Sequence, residues 1–311
     1  GKCVVQARRS LQSTPVITGR PQVTVYDEGY GAAKTIRANL GATRRLTPFF
    51  TMTLDASYVK GIGQSASRDL NLNLGTPFLL ANEGNRPVYI NPSLIVPTTG
   101  AIPFTSTRKD AGYGSVNQVF SGLENETKQV TASMNWFNTR GSTLSANYTM
   151  QFARDQASNL TPGDPNAFLW ARSSNERRHN IQLNFTKVFS PTFELTAIGS
   201  MASGSRYSPV VGSDINGDGS RNDLAYVFNP ANANDPVLAA AMDDLLKNGS
   251  KGAKACLASQ VGKIAERNSC IGPWSPSLNL QVNLKPGMFQ NRLTISFATI
   301  NLLGGLDELF N

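Results

Sequence analysis

Apolar and polar side chains alternate along many stretches of the chain. From Phe50 to Tyr58 every second residue is apolar, and Thr, Ser or Asp stands between them. The same alternation recurs at about 130–136, 144–152, 181–185, 193–197, 278–284 and 293–297. Because neighbouring side chains in a strand point to opposite faces, this pattern predicts antiparallel strands with one apolar and one polar face.

The connections between these predicted strands alternate in length. Short turns are expected at 46–49, 138–142, 190–192 and 285–291, and long polar excursions at about 62–125, 154–175 and 204–275. Tight turns at one end and long loops at the other are typical of outer-membrane β-barrels, whereas soluble sandwiches more often have short turns at both ends. Strands of about ten residues would also match a tilted membrane crossing.

We therefore predict an all-β fold: an antiparallel transmembrane β-barrel segment of the outer-membrane type, with long extracellular loops, one of which carries short helices. This partial barrel should occupy 34–311 and include a loop subdomain at about 204–275. The preceding 1–33 should be irregular, with one possible strand at 22–27. The chain begins at Gly1 without a signal peptide, so we expect a mature or truncated segment.

Aromatic residues recur on the predicted apolar faces, notably at Tyr58, Trp136, Tyr148, Phe152 and Phe185. One interpretation is a girdle at the level of the lipid headgroups. The alternative is core packing in a sandwich, which periodicity alone does not exclude. The opposite face, rich in Asn, Gln, Ser and Thr, suits a water-filled lumen and favours the girdle.

Composition and charge exclude several classes of function. Only 16% of the residues are charged, and the formal net charge of +8 is spread mostly singly along the chain. Nucleic-acid binding needs a concentrated basic face, and none is visible. No apolar run approaches the roughly 20 residues of a membrane helix. The basic side chains are expected to be solvated or to face the lumen.

An acidic, glycine-rich stretch interrupts the strand pattern at 212–230. Its oxygen-bearing side chains are candidates to bind Ca²⁺, because alternate side chains of a turning loop can converge on one ion; they are Asp214, Asn216, Asp218, Asn222 and Asp223. Ala225 stands where an EF-hand would have its bidentate Glu, so this is not an EF-hand. The alternative is a metal-free turn, because Asp, Asn and Gly also favour turns.

The rest of the third excursion contains two predicted helices and a cysteine pair. Asp235 as N-cap and Pro236 at the first position predict a helix to Leu246, and a second helix is expected at 252–266. Cys256 and Cys270 are expected to form a disulfide, which would indicate an oxidising compartment; the alternative is two reduced thiols. Cys3 is left over.

The sequence contains no motif or residue cluster that indicates catalysis. His179 is the only histidine and has no second histidine to act with. No GxSxG, HExxH, Walker or Rossmann pattern occurs. The remaining acidic residues are interpreted as loop surface, including Glu124, Glu126, Asp155 and Asp164. We expect neither enzyme activity nor an organic cofactor.

Several longer segments resemble one family. SDINGDGSRNDLAYVFNPA at 213–231, CLASQVGKIAERNSCIGPW at 256–274, LNLQVNL at 278–284 and RLTISFATINLLGGLDELF at 292–310 are similar to the C-terminal barrel region of Oar-like TonB-dependent outer-membrane receptors. ATRRLTPFFTMTLDASYVKG at 42–61 and RDLNLN at 68–73 resemble a hairpin of that family. The resemblance implies a barrel of about 22 strands, an N-terminal plug and energy-coupled import through TonB.

The chain shows only about eight to ten predicted barrel strands and no plug or TonB box, so we expect it to be part of a longer protein. The expected function is that of a receptor or transporter in the bacterial outer membrane. Its partners would be membrane lipid, the TonB complex through a plug outside this chain, and an unknown extracellular ligand. The alternatives are a calcium-stabilised surface or adhesion protein and a secreted soluble β-sandwich that binds partners.

Overall fold

The computed structural model describes residues 19–156, 163–233, 235–289 and 292–305. Within these ranges there are sixteen strands and two α-helices that are described over their full length, besides short 3-10 helices and a helical turn at 302–305. The strands are β1 (Val23–Tyr26), β2 (Lys34–Thr47), β3 (Phe50–Asp69), β4 (Phe78–Leu80), β5 (Arg86–Val88), β6 (Val116–Phe137), β7 (Thr143–Asp155), β8 (Ala171–Arg172), β9 (His179–Ser190), β10 (Phe193–Ala202), β11 (Arg206–Tyr207), β12 (Tyr226–Val227), β13 (Lys263–Ile264), β14 (Cys270–Ile271), β15 (Ser275–Leu284) and β16 (Ile295–Thr299). The helices are α1 (Pro236–Asn248) and α2 (Lys251–Ala258).

Eight of these strands form one antiparallel sheet in which chain neighbours are also sheet neighbours. The order is β16, β15, β10, β9, β7, β6, β3, β2, and β1 and β8 add to it as short extra strands on β6 and β7. β1 pairs with β6 in parallel, and it confirms the strand predicted at 22–27. The fold class is therefore all-β and antiparallel, as predicted. Among the described residues, no ladder joins the two edge strands, β2 and β16.

The register places the alternating apolar positions on one continuous face. At the end with the tight turns, a row of directly opposed residues runs from β3 to β15 through Phe50, Trp136, Leu144, Phe185, Ala197 and Leu280. The row at the other end contains Ala38, Tyr58, Lys128 and Phe152, and beyond it the face is mainly charged. We call the side chains on this face from one of these rows to the other the apolar belt; Lys128 and Arg44, the latter opposite Met52 on the edge strand β2, are its charged members.

The opposite face is polar across the same strands. Residues opposed on it include Ser133, Asn147, Gln182, Ser200 and Ser277. Threonine pairs join neighbouring strands there, with 3.0 Å between the Oγ1 atoms of Thr131 and Thr149. A one-residue slip in register would exchange the two faces, so the separation of apolar from polar side chains specifies this register.

The turns lie where the sequence predicts them, but two strands are longer than expected. β3 has 20 residues and β6 has 22, rather than about ten. The first excursion therefore spans 70–115 instead of 62–125. The extra length is stabilised by pairing, because β3 and β6 stay hydrogen-bonded to each other up to Asp69 and Asn117. The other excursions run over 156–178 and 203–274.

The hydrophobic core lies in the excursions and not over the sheet. Nine apolar side chains of the described residues are buried, all of them beyond the apolar belt: Leu72, Val88, Ile90, Leu123, Ala153, Leu224, Val227, Ala265 and Cys270. Seven of them belong to the first and third excursions. The excursions therefore form a packed cap at one end of the sheet, and we use the word cap for these three segments.

The two ends of the third excursion cross closely. The N–H of Gly272 donates to the carbonyl of Ser205 over 2.9 Å. A Cβ atom at Gly204 would overlap the backbone of Gly272, so only glycine fits there. The strand pair β11 and β14 continues this contact into the cap.

The helices of the third excursion begin as predicted, but the second is shorter. The side chain of Asp235 accepts hydrogen bonds from the backbone N–H groups of Val237 and Leu238, which confirms it as the N-cap of α1. α2 ends at Ala258 instead of continuing to residue 266, because the chain turns there and enters β13. Neither of these helices, with 13 and 8 residues, has the length and apolarity needed to cross a membrane, and no other described helix does.

Candidate functional site

The apolar belt is exposed in the described structure. Leu40 on β2 is 77% exposed, Leu54 on β3 is 55% exposed, and Val130 on β6 is 40% exposed. The remaining sheets of the described residues are two-stranded and are built from cap segments. An apolar face this continuous and uncovered marks a surface that contacts something other than water.

The predicted aromatic residues lie toward the two ends of the belt. Trp136 and Phe185 are in the row nearest the tight turns, and Tyr58 and Phe152 are in the last row before the cap. Tyr148 lies between these rows, two rows below Phe152. Beyond Tyr58 the face becomes charged, where Lys60 pairs with Glu124 at 3.1 Å. The belt measures about 27 Å along β3 at the usual rise, or about 20 Å of height at a 40° tilt.

The candidate calcium residues lie in a tight loop whose side-chain oxygens already accept backbone hydrogen bonds. Asp214 accepts from the N–H groups of Gly217 and Gly219 at 2.7 and 2.8 Å. Asp223 accepts from those of Ile215 and Asn216 at 2.6 and 3.2 Å. These contacts are what an Asx-type turn requires, whether or not an ion is present.

The other three candidate residues occupy different positions in the same loop. The Asn216 side chain accepts from the N–H of Asp218 at 2.9 Å, and that of Asp218 accepts from Ser220 at 2.6 Å. Asn222 is half-buried beside Asp223. Within the described residues, no three His, Cys, Asp or Glu side chains are grouped so that they could hold a metal ion. Calcium binding therefore stays a prediction.

Burial makes the ionised form of two carboxylates in the acidic loop, Asp218 and Asp223, less favourable than in water. Burial, together with the nearby carboxylates of Asp214 and Asp223, raises the pKa of Asp218 to about 6, although the hydrogen bond from the N–H of Ser220 opposes this. Burial also raises the pKa of Asp223, although its backbone hydrogen bonds and the Arg86 guanidinium oppose this. A cation placed among these groups would lower both pKa values.

Arginines of the first excursion attach the acidic loop to the rest of the cap. Arg86 is 1% exposed, donates to the carbonyl of Leu224 at 2.6 Å, and lies 3.8 Å from the carboxylate of Asp223. Arg108 donates to the carbonyl of Asp218 at 2.9 Å and forms an ion pair with Asp69 at the end of β3. The first and third excursions are thus one packed unit, which sequence analysis did not predict.

A second ionic cluster centres on Glu176, which is 1% exposed. Its carboxylate accepts from the N–H of Ala153 at 2.9 Å, from Arg178 at 2.8 Å and from Arg206 at 2.7 Å, and Arg172 lies 3.3 Å away. Burial alone would raise the pKa of Glu176, but the hydrogen bonds from Ala153, Arg178 and Arg206 outweigh it and lower the pKa below its usual 4.5.

Several acidic residues that the sequence suggested as loop surface are instead in strands. Glu124 and Glu126 lie in β6, and Asp155 ends β7. Asp155 accepts from the buried Arg267 of the third excursion at 2.8 Å, so it also fastens the cap to the sheet. The expectation that the basic side chains are solvated is wrong for Arg86, Arg108 and Arg267, because each is buried against a carboxylate.

The predicted disulfide is present between Cys256 and Cys270, which joins α2 to β14 across a separation of 14 residues. Cys3 lies outside the described residues. His179 begins β9 and lies between two aromatic rings, with Tyr148 and Trp274 at 6.0 and 5.8 Å between ring centroids. Its Nδ1 is 2.8 Å from the Tyr148 hydroxyl. This stack lies on the belt face just below the cap.

Comparison with known proteins identifies similar folds only. No model of a protein family matches the chain. No curated protein matches it. Solved structures with a similar fold include the FrpB iron transporter from Neisseria meningitidis, at 10% identity over 90% of this chain and 28% of that one, with a TM-score of 0.45.

Two further solved structures have a similar fold at equally low sequence identity. The outer membrane transporter YddB from Escherichia coli is 8% identical over 92% of this chain and 31% of its own, with a TM-score of 0.49. The ferripyoverdine receptor of the outer membrane of Pseudomonas aeruginosa is 10% identical over 87% of this chain and 23% of its own, with a TM-score of 0.42. The chain thus spans less than a third of the length of each of these three structures.

Proposed function

We propose that the chain is a segment of an outer-membrane β-barrel that acts as a receptor or transporter and performs no covalent chemistry. The observation that carries this proposal is the apolar belt, which crosses the sheet between two aromatic rows while the buried core lies in the cap. Its height of about 20 Å is close to the roughly 25 Å apolar band of outer-membrane barrels. In water this face would need a second layer, as in a sandwich.

The polar face then lines an aqueous passage. A cavity of about 340 Å³ on this face is bounded by amide and hydroxyl side chains together with Arg177, which suits water and hydrophilic solutes. The cap closes one end of the sheet with a fixed surface, held by the clusters around Glu176 and Arg86. Ion pairs that hold such a surface in place favour ligand recognition, because less of the surface then has to become ordered on binding.

The family resemblance adds finer expectations to the proposal. Oar-like, TonB-coupled uptake would require a plug outside this chain, and the cap would face the outside of the cell. The polar lumen and the ordered cap are compatible with such a receptor. They are equally compatible with a surface protein that binds partners without transport, and energy-dependent uptake by cells that carry the full reading frame would separate the two.

A charge placed on each face of one strand tests the membrane assignment. Leu54 belongs to the belt and Thr53 to the polar face, so Leu54→Lys and Thr53→Lys are a matched pair. In a bilayer, Leu54→Lys is expected to lower the free energy of unfolding by about 2–4 kcal/mol, and Thr53→Lys by less than about 1 kcal/mol. The measurement is denaturant unfolding in lipid vesicles, followed by heat-modifiable gel migration.

A chain that folds in buffer without detergent or lipid would contradict the proposal. Equal effects of the two lysines would contradict it as well, because a water-exposed Leu54 would lose little on replacement. A folded soluble monomer would instead support a secreted binding module. Both results can be obtained without knowing the ligand.

A further inference from the structure

Two cavities lie next to each other on the belt face, at the border between belt and cap. The first holds about 700 Å³ and lies between the end of the sheet and the third excursion. The second holds about 460 Å³ and lies within the belt. Both are lined by Lys128 and Phe152, which belong to the last row of the belt. We call them the head cavity and the chain groove.

The head cavity contains more available positive than negative charge. Its two carboxylates already have lysine partners, Glu126 with Lys128 at 2.6 Å and Glu266 with Lys263 at 3.4 Å. Arg154 is exposed and forms no ion pair with any described carboxylate. Its guanidinium instead lies 5.8 Å from the ring centroid of Trp170. A planar cation that is presented beside an aromatic wall is a good partner for a phosphate group.

Arg172, on the neighbouring strand β8, adds a second positive charge beside Arg154. It is directly opposite Arg154 in the pairing of β8 with β7. Arg172 bonds Glu176, but 40% of its side chain stays exposed. Two arginines side by side repel each other, and an anion between them removes that repulsion. The Phe152 ring lies below the two arginines, and the guanidinium carbon of Arg178 stacks on it at 3.9 Å from the ring centroid.

The chain groove has a different lining. It is bounded by Ala38, Leu40, Ala56, Val130 and Met150 of the belt, with Tyr58 at its upper end. The alanines leave a depression between larger side chains on four adjacent strands, β2, β3, β6 and β7. Lys128 is the one charged residue of this lining, and it belongs to the row next to the head cavity. An otherwise uncharged groove that begins directly beneath a cationic cavity has the polarity of an amphiphile.

We propose that the head cavity and the chain groove together bind a phosphorylated membrane lipid, with its phosphate against Arg154 and Arg172 and an acyl chain in the groove. This inference rests on the proposed placement of the belt in a membrane. The level of the site supports it, because the aromatic row at Tyr58 and Phe152 is where headgroups would lie. Basic pockets at that level bind anionic lipid headgroups.

Lipid titration of the full chain in detergent tests the site, with folding checked first by heat-modifiable migration. The probes are phosphatidic acid and phosphatidylcholine with identical acyl chains, and bound lipid is counted by native mass spectrometry. Phosphatidic acid is expected to bind about tenfold more tightly. Arg154→Gln should weaken the binding of phosphatidic acid about fivefold, the factor expected for one cation near an anionic surface, and should weaken that of phosphatidylcholine less, because choline balances the charge of its phosphate.

Two further variants control for charge and for fold. Arg44 is exposed on the same face near the tight turns, so Arg44→Gln removes an equal charge and should change neither affinity. Ala38→Phe fills the chain groove and should weaken both lipids, whereas inorganic phosphate at millimolar concentration should displace neither. Equal binding of the two lipids, no effect of Arg154→Gln, or full displacement by phosphate would overturn the lipid site.

The two proposals fail in different ways. A protein that folds in detergent but does not discriminate between the lipids would remove the lipid site and leave the membrane assignment standing. A chain that is folded and monomeric in buffer would remove both.

Discussion

Replacing Glu176 by Gln is expected to loosen the cap while the sheet stays folded. The carboxylate connects the edge of β7, the second excursion and the third excursion through Ala153, Arg178 and Arg206. Glutamine has nearly the same shape and can still accept from the N–H of Ala153. The variant therefore removes the charge and little else.

The size of the effect follows from burial. Breaking a buried ion pair by removing one partner costs about 3–5 kcal/mol, because the remaining charge is left uncompensated. Here the side chain of Arg178 is 22% exposed and that of Arg172 is 40% exposed, so both can regain water. We therefore expect about 3 kcal/mol, which corresponds to a local opening equilibrium about a hundredfold larger.

Hydrogen exchange on the detergent-folded protein measures this opening. The amide of Ala153, which bonds Glu176 directly, should exchange about a hundredfold faster in Glu176→Gln, and amides of the sheet at β9 and β10 should not change. Glu124→Gln is the matched control. Glu124 pairs with Lys60 with both side chains about one third exposed, so its loss should cost less than about 1 kcal/mol.

The effect should also depend on pH. Since the folded cap lowers the pKa of Glu176 below 4.5, the charge stabilises the cap above that value, and the contribution is lost as pH falls through the folded pKa. Wild type and variant should therefore differ at pH 7, and the difference should shrink as the pH falls below 4.5 and disappear once the pH is below the folded pKa of Glu176. A difference that persists unchanged at acid pH would refute the electrostatic explanation, and no difference at pH 7 would refute the role of the cluster altogether.

Three further outcomes are expected. If the acidic loop binds Ca²⁺, Asp214→Ala with Asp218→Ala should lower the protease resistance of the loop to that of chelator-treated wild type; a digestion pattern unaffected by calcium would contradict the site. Gly204→Ala should destabilise the base of the third excursion, measured by thermal unfolding, while Gly212→Ala, which meets nothing within 4 Å, should not; equal melting temperatures would exclude the crossing. Cys256→Ser should destabilise the cap by about 3 kcal/mol under oxidising conditions, measured by protease resistance without reductant; free thiols in a non-reduced digest of wild type would show that no disulfide forms.

The sheet was predictable because its determinants are local. Alternation from Phe50 to Tyr58 specifies a strand and its apolar side, and the short turn at 46–49 specifies its antiparallel neighbour. The alternation fades after Ile62, where β3 reads GQSASRD, so the strand ends were misplaced. Beyond Ile62 the strand β3 continues because β6 pairs with it. Such pairing is not evident from the amino-acid composition of either segment.

The cap was not predictable because its partners are distant in the sequence. Arg86 bonds a carbonyl 138 residues away, and Arg206 reaches Glu176 across 30 residues. Each of these residues is unremarkable among its neighbours, so neither spacing nor motif identifies the cluster. The acidic loop is different, because the sequence does identify its oxygen-bearing side chains. These oxygens accept hydrogen bonds from backbone N–H groups and could equally bind an ion, so the sequence does not decide between the two.

The crossing of Gly204 over Gly272 makes the third excursion a removable insert. The chain leaves the sheet after β10 and returns before β15 through two segments in direct backbone contact, so a short linker could join them without moving either strand. Shortening there would leave the ten-stranded sheet intact and would expose Asp155, Glu176 and Arg86 on the remaining cap. The sheet can accordingly keep its fold while different inserts change the surface of the cap, which separates the part that carries the apolar belt from the part whose surface can vary.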